Sequence, residues 1–502
     1  MLVQLLAYGL VFSAVAWFLS PIVEYIRDKK GLRQFPSPPV AAHSALWRMY
    51  HNLRWKHYAA VHDAHKRLGA HVRIAPNHVS ILTPEAPNEI YGHGANMLKE
   101  AWYDAGAAPH RNLADTRIKA EHTTKRKMLA HAFAAKTVTG FEPMVQETLT
   151  AFKRQMDSHA DAGAKVDLRL YLNYFTIDLV GNILYGHKLG CLDRGDDQLE
   201  AEDKSSGKIY KSGFIQPLLD ATVITNLLAF APQYLPITKP LFSYHPYKKS
   251  GADWENIVYH NTKKRLANEL HDEDRLFGKL LRDSKGNEIN LPMGELLAEC
   301  SAIMNAGTET TTAAMTATVF LLYTHPKILA KLREEVESAA PGNAVITNEI
   351  ASKLPYLRAC IEEALRVRPA STFGLPRIVP EGGRVIAGKF IQGGVTVSVP
   401  TYSLLRDESV FKNAEEYNPD RWMTKDPDLK RRMNNNHIPF STGPRACIGR
   451  NIAYFELTMM ISTLVKHYDV IIPEGFDLEV QERFNANPGN LVVDIKKRAV
   501  HV

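Results

Sequence analysis

Cysteine is scarce in this chain and widely scattered. The 502 residues hold four, Cys191, Cys300, Cys360 and Cys447, and no two of them form a CxxC pair. That spacing excludes a disulfide framework, argues against a zinc site, and fits a reducing compartment. There is no internal repeat, no low-complexity tract, and no GxGxxG fingerprint opening a helix after a strand. Without that fingerprint, no dinucleotide-binding unit is legible in the chain. The formal net charge is +7, yet no nucleic-acid motif accompanies it. An anionic membrane surface or an acidic partner protein is the better match. Lys125-Arg126-Lys127, Lys430-Arg431-Arg432 and Arg450 are candidate docking cations, or else solvated faces. With 45% hydrophobic and 23% charged residues the chain is globular.

Charge is also missing from Leu2 to Val23, where Leu5-Leu6, Leu10-Val11-Phe12 and Val15-Ala16-Trp17-Phe18-Leu19 fall. About 20 apolar residues suffice to cross a bilayer as a helix. A cleaved signal peptide would carry a basic start and a small-residue cleavage site, and neither stands out. Arg27, Lys29, Lys30 and Arg33 follow the run, which leaves the bulk of the protein on the cytosolic side. Residues 1–24 are therefore expected to be a membrane anchor. Residues 25–40, with Phe35-Pro36-Ser37-Pro38-Pro39, are expected to be a stiff linker, and 41–502 the remaining domain.

Cys447 stands in Phe440-Ser441-Thr442-Gly443-Pro444-Arg445-Ala446-Cys447-Ile448-Gly449-Arg450, a glycine-rich loop leading into a helix. Peptide N–H groups and the helix dipole favour a thiolate there, and a single thiolate can be the axial ligand of a haem iron. Gly443 and Gly449 leave room for a flat macrocycle and permit unusual turn angles. Arg445 can pair with a propionate and Phe440 can shield the sulphur. Read alone, a cysteine such as Cys447 is more often a buried structural thiol.

Leu291 to Thr324 reads as one long apolar helix ending before Pro326, interrupted by the polar run Asn305-Ala306-Gly307-Thr308-Glu309-Thr310-Thr311-Thr312. Such a conflict with helix propensity marks a functional site or a kink made for packing. Tyr356 to Pro369 reads as a second helix, on which Glu363 and Arg366 share a face.

The cysteine loop satisfies every fixed position of FxxGxRxCxG, and with the Ala306–Thr311 run and the ExxR pair it resembles the cytochrome P-450 family over essentially the whole chain. The resemblance implies a mainly α fold with small β-sheets and an N-terminal transmembrane helix, haem b held by Cys447, and insertion of one atom of O2 into an organic substrate. Thr310 would donate a hydrogen bond to bound dioxygen and Glu309 would relay solvent protons. Arg126, His122 (where the family carries Trp) and Arg377 would reach haem propionates. Glu363, Arg366 and Arg421 would form a structural network. Electrons would come from NADPH–cytochrome P-450 reductase, and the enzyme would sit in the endoplasmic reticulum membrane, single-pass, with its catalytic domain cytosolic.

At finer resolution Val72–Pro76, Tyr91–Gly94, Ala120–Thr123 with Lys125–Lys127, and Ile438–Asn451 are similar to fungal benzoate 4-hydroxylases. Trp102, Tyr103 and Phe373 suit a flat aromatic ring, and Tyr103, Ser371 and Thr372 could hold a carboxylate; ordinary core packing accounts for them equally. The expected reaction is para-hydroxylation of benzoate, with oxidation of a polyketide, terpenoid or phenolic in secondary metabolism as the alternative.

Overall fold

A computed structural model describes residues 19–107, 109–229, 231–267, 276–282, 285–342 and 345–499. The chain is mainly helical with small sheets. Its axis is the helix Met293–Tyr323, 31 residues long, close to the span expected from the sequence. Thr308, Thr310, Thr316 and Thr318 each donate their hydroxyl to the carbonyl four residues back, at 2.7 Å. The threonine run therefore satisfies its own polar groups and the helix continues unbroken.

Against this helix lies Leu168–Tyr185, which is buried nearly all round, as its largely apolar sequence favours. The two approach closely because position 307 has no side chain: a Cβ there would stand 2.9 Å from Val180 Cγ2. Thr176 and Thr312 share a buried hydroxyl–hydroxyl bond of 2.8 Å across the contact. Glu142–Ala162, Pro355–Val367 and Arg450–His467 join the main core. Proline opens Pro355–Val367 at a position where its missing N–H has no helical partner to lose.

A five-stranded sheet runs in the order His71–Ala75, His78–Ile81, Thr396–Ser398, Arg377–Ile378, Leu98–Lys99. The basic and proline-rich stretch docks on its core. Leu32 and Phe35 are buried there, Lys30 Nζ donates to Asn77 Oδ1 at 2.8 Å, and Arg73 N donates to Pro36 O. A hairpin, Val480–Arg483 with Asn485–Pro488, turns at Phe484. The span expected over residues 1–24 falls largely on 1–18, outside the described residues. Residues 19–27 are helical, and among the described residues no helix is long and apolar enough to cross a membrane.

Candidate active site

The cysteine loop is fixed from within. Cys447 N donates to Phe440 O at 2.9 Å, and Ala446 N to Gly443 O at 3.0 Å. Gly443 is obligatory: its φ is +72°, and a Cβ would fall 1.9 Å from Tyr91 O. Gly449 differs from expectation, since its φ of −78° is open to any residue. A Cβ there would stand 3.9 Å from Cys447 Sγ, an ordinary contact distance. Cys447 keeps an exposed surface, yet burial of its surroundings pushes the thiol above its ordinary value. The N–H groups of Gly449 and Arg450, with the charges of Arg126 and Arg450, pull the other way. The amides at the start of the helix Arg450–His467 thus offset burial without overcoming it. Ligation to a metal completes the deprotonation.

Four cations gather beside this loop. Lys99 and Arg377 face each other directly across paired strands, although like charges at such positions repel. Arg126 Nη1 donates to Ala446 O at 2.8 Å, and Arg445 Nη1 to Thr116 O at 2.9 Å. Lys99 Nζ donates to Ala114 O at 2.5 Å, and Arg377 Nη1 to Tyr103 Oη at 2.7 Å. Burial, then Arg377 and Arg445, drive Lys99 well below the ordinary lysine value. Burial, then Arg445, Lys99, Arg126 and Arg377, push His122 down to about 4, so it is neutral at pH 7. Among the described residues none of Lys99, Arg126, Arg377 and Arg445 forms an ion pair with a carboxylate. Buried like charge without a counter-ion is costly, and a flat dianion such as the propionate edge of haem fits this donor set. Lys99 escaped the sequence reading because only strand register brings it opposite Arg377.

On the cysteine side, Glu363 and Arg366 are fully buried. Arg366 Nε and Nη2 donate to the two Glu363 oxygens, both at 2.9 Å, and Arg421 Nε donates to Oε1 at 2.8 Å. Trp422 Nε1 adds a fourth bond of 2.9 Å, and the Asn418 N–H a fifth. Burial alone would raise the Glu363 carboxyl, but these partners hold it below its ordinary value. Arg366 also donates to the carbonyls of Leu405, Ala414 and Glu416, tying the segment before the cysteine loop to its helix.

On the central helix, Thr310 Oγ1 donates to Ala306 O. Glu309 is buried and turned to the hairpin, where Asn485 Nδ2 and Asn487 Nδ2 donate to it at 3.2 and 2.6 Å. Neither asparagine stood out in the sequence.

Of the expected substrate residues, Trp102 lies 5.0 Å from Phe373, tilted at 45°, and 4.9 Å from Tyr103, edge-on. The cluster includes a residue the sequence reading omitted, Phe484, stacked on Trp102 at 5.1 Å with a φ of +73°. Thr372 departs from its expected role as a carboxylate donor. It is buried, and its hydroxyl donates to Glu482 Oε1 at 2.9 Å. Ser371 beside it is half-buried. Lys125 is likewise no docking cation: it is buried in ion pairs with Glu299 at 3.1 Å and Glu295 at 3.3 Å. Lys127, Lys430, Arg431, Arg432 and Arg450 are exposed.

A helical fold around a glycine-held cysteine loop, with a cation cluster fitted to propionates, defines a haem-thiolate protein. The family model of cytochrome P-450 matches residues 36–500, and the chain belongs to that family. It is 31% identical to Benzoate 4-monooxygenase bphA of Aspergillus niger, over 98% of each chain. It is 29% identical to Averantin hydroxylase of Dothistroma septosporum, over 88% of this chain and 80% of that one. The crystal structure of the cytochrome P-450DA haem domain superposes with a TM-score of 0.74 at 19% identity, covering 93% of this chain and 97% of that one. The protein is a haem-dependent monooxygenase whose iron takes the Cys447 thiolate as axial ligand.

Proposed function

We propose that the enzyme hydroxylates a small aromatic acid, with benzoate at the para position as the first candidate. The observation that carries this reading is the full-length similarity to a benzoate 4-monooxygenase. When bound, haem supplies the reductive activation of O2; the chain supplies position and protons. Arg445, Arg126, Arg377 and Lys99 would hold the propionates, with neutral His122 packed beside them. The aromatic cluster of Trp102, Phe373 and Phe484 presents flat faces to a ring. Tyr103 Oη already accepts from Arg377, so its own proton is free to be donated to a substrate carboxylate. Trp102 Nε1, buried without a hydrogen-bond partner, is a second donor. With haem bound, Thr310 would exchange its bond to Ala306 O for a hydrogen bond at the oxygen site, and Glu309 would relay protons toward it. NADPH–cytochrome P-450 reductase delivers electrons, and residues 1–24 anchor the enzyme in the endoplasmic reticulum membrane with its catalytic domain in the cytosol.

One observation favours a larger neutral phenolic or polyketide instead. The Thr372 hydroxyl is committed to Glu482, which leaves one donor fewer to hold a substrate carboxylate. Titration of the ferric enzyme with benzoate, followed by turnover with reductase and NADPH, decides between them. A low-to-high-spin shift and 4-hydroxybenzoate are expected. No shift and no product, alongside oxidation of a neutral phenolic, would select the second reading.

A further inference from the structure

The hairpin Val480–Pro488 carries an arrangement that haem binding does not require. Alternate residues of a strand point the same way, so Asn485 and Asn487 present two amides side by side. Each meets one oxygen of Glu309: Asn485 Nδ2 donates to Oε2 at 3.2 Å, and Asn487 Nδ2 to Oε1 at 2.6 Å. All three side chains are buried. The other end of Asn487 is also used, since its Oδ1 accepts from Arg169 Nη2 at 3.4 Å. The three partners come from three elements: the central helix, the hairpin, and the first turn of Leu168–Tyr185.

An amide side chain has a donor end and an acceptor end. Placed between a carboxylate and a guanidinium, with the right end toward each, it joins opposite charges that do not touch. Burial pushes the Glu309 carboxyl up, while the two amides, then Arg169 and Arg483, act to keep it charged. Arg169 in turn faces Asp167 as well as Glu309, and Arg483 opposes it. The hairpin is itself pinned, since Ala486 N, between the asparagines, donates to Ala370 O at 2.8 Å. The amides are therefore held at a fixed place relative to the central helix.

We propose that Asn487, seconded by Asn485, is a positioning residue that fixes the orientation and charge of Glu309 by bridging it to Arg169. The inference rests on the reading of Glu309 as part of the proton route, and the test separates the two. Holoenzyme carrying Asn487→Leu or Asn487→Asp is compared with the parent and with Glu309→Gln. The carbon monoxide spectrum reports that each has formed its haem site. The Asp variant, equal in shape to the parent, carries the test where the Leu variant does not fold. The infrared band of the protonated carboxyl is assigned to Glu309 by its loss in Glu309→Gln. Losing one charge-assisted hydrogen bond should raise the proton affinity of Glu309 about tenfold, so the band persists to higher pH in Asn487→Leu. In Asn487→Asp two neighbouring carboxylates should retain a proton in the same direction. Peroxide released per NADPH, with benzoate as the probe, should rise in both variants as in Glu309→Gln. A Glu309 band unmoved in both variants overturns the proposal. Unchanged peroxide release in Glu309→Gln, with the band moved in the Asn487 variants, removes Glu309 from the proton route and upholds the hold of Asn487 on it.

Discussion

Arg366 shows most directly how one side chain organises this protein. It has no exposed surface, and its five hydrogen bonds reach a carboxylate and three backbone carbonyls. Removing one partner of a buried pair leaves the other charge uncompensated, which costs about 3–5 kcal/mol. Arg366→Leu should therefore lose that much stability in urea titration and retain haem poorly. The pH dependence follows from Glu363, whose folded value lies below its ordinary one. Its contribution is fully present above the ordinary carboxylate range and is lost as pH falls through the depressed folded value. Arg366→Leu should weaken that acid-side decline, because the largest cause of the depression is gone while Arg421 and the Asn418 N–H remain. This network was legible in the sequence because Glu363 and Arg366 lie three apart on one helix, where spacing alone sets the contact. Lys99 and Arg377 were not legible as a pair. Their meeting depends on a two-residue strand, Leu98–Lys99, finding its register against Arg377–Ile378.

The same contrast holds for whole elements. The central helix and the cysteine loop carry their information consecutively, so composition and punctuation located both to within a few residues. The C-terminal hairpin does not: Val480–Pro488 has weak alternation, and its importance comes from where it is placed. Its residues reach Trp102 through Phe484, Thr372 through Glu482, and Glu309 through the two asparagines. Glu482 makes the hairpin sensitive to pH. Burial raises its carboxyl to about 7, against donation from the Tyr58 N–H and Thr372. A carboxyl raised on folding binds more protons in the native state, so stability falls as pH rises from its unfolded value to about 7, then levels off. Glu482→Gln should flatten that decline. Thermal unfolding at pH 5 and pH 8 should show a smaller difference for the variant than for the parent, by no more than ~3 kcal/mol. An equal difference in both would mean that Glu482 stays charged throughout.

For the molecule as a whole, the expectation that carries most weight outside the folded domain is the anchor. Leu2 to Val23 bears no charge, and the stretch after it is fastened to the five-stranded sheet by Leu32, Phe35 and Lys30. A chain leaving the bilayer would thus meet the domain within a few residues, which restricts the tilt available to it. Removal of residues 1–24 should shift the protein from the membrane fraction to the soluble one without altering the carbon monoxide spectrum, because every contact of the cysteine loop lies elsewhere. Retention on membranes after the deletion would assign the attachment to the surface of the domain.

The opposition of Lys99 and Arg377 has a consequence for biosynthesis. An ammonium and a guanidinium facing one another at the margin of a sheet weaken its closure, and an anion between them relieves the repulsion. Cofactor supply therefore bears on how firmly the edge strand Leu98–Lys99 holds to Arg377–Ile378. Chains made in excess of that supply would carry this repulsion unrelieved, at the edge of the sheet that is easiest to open.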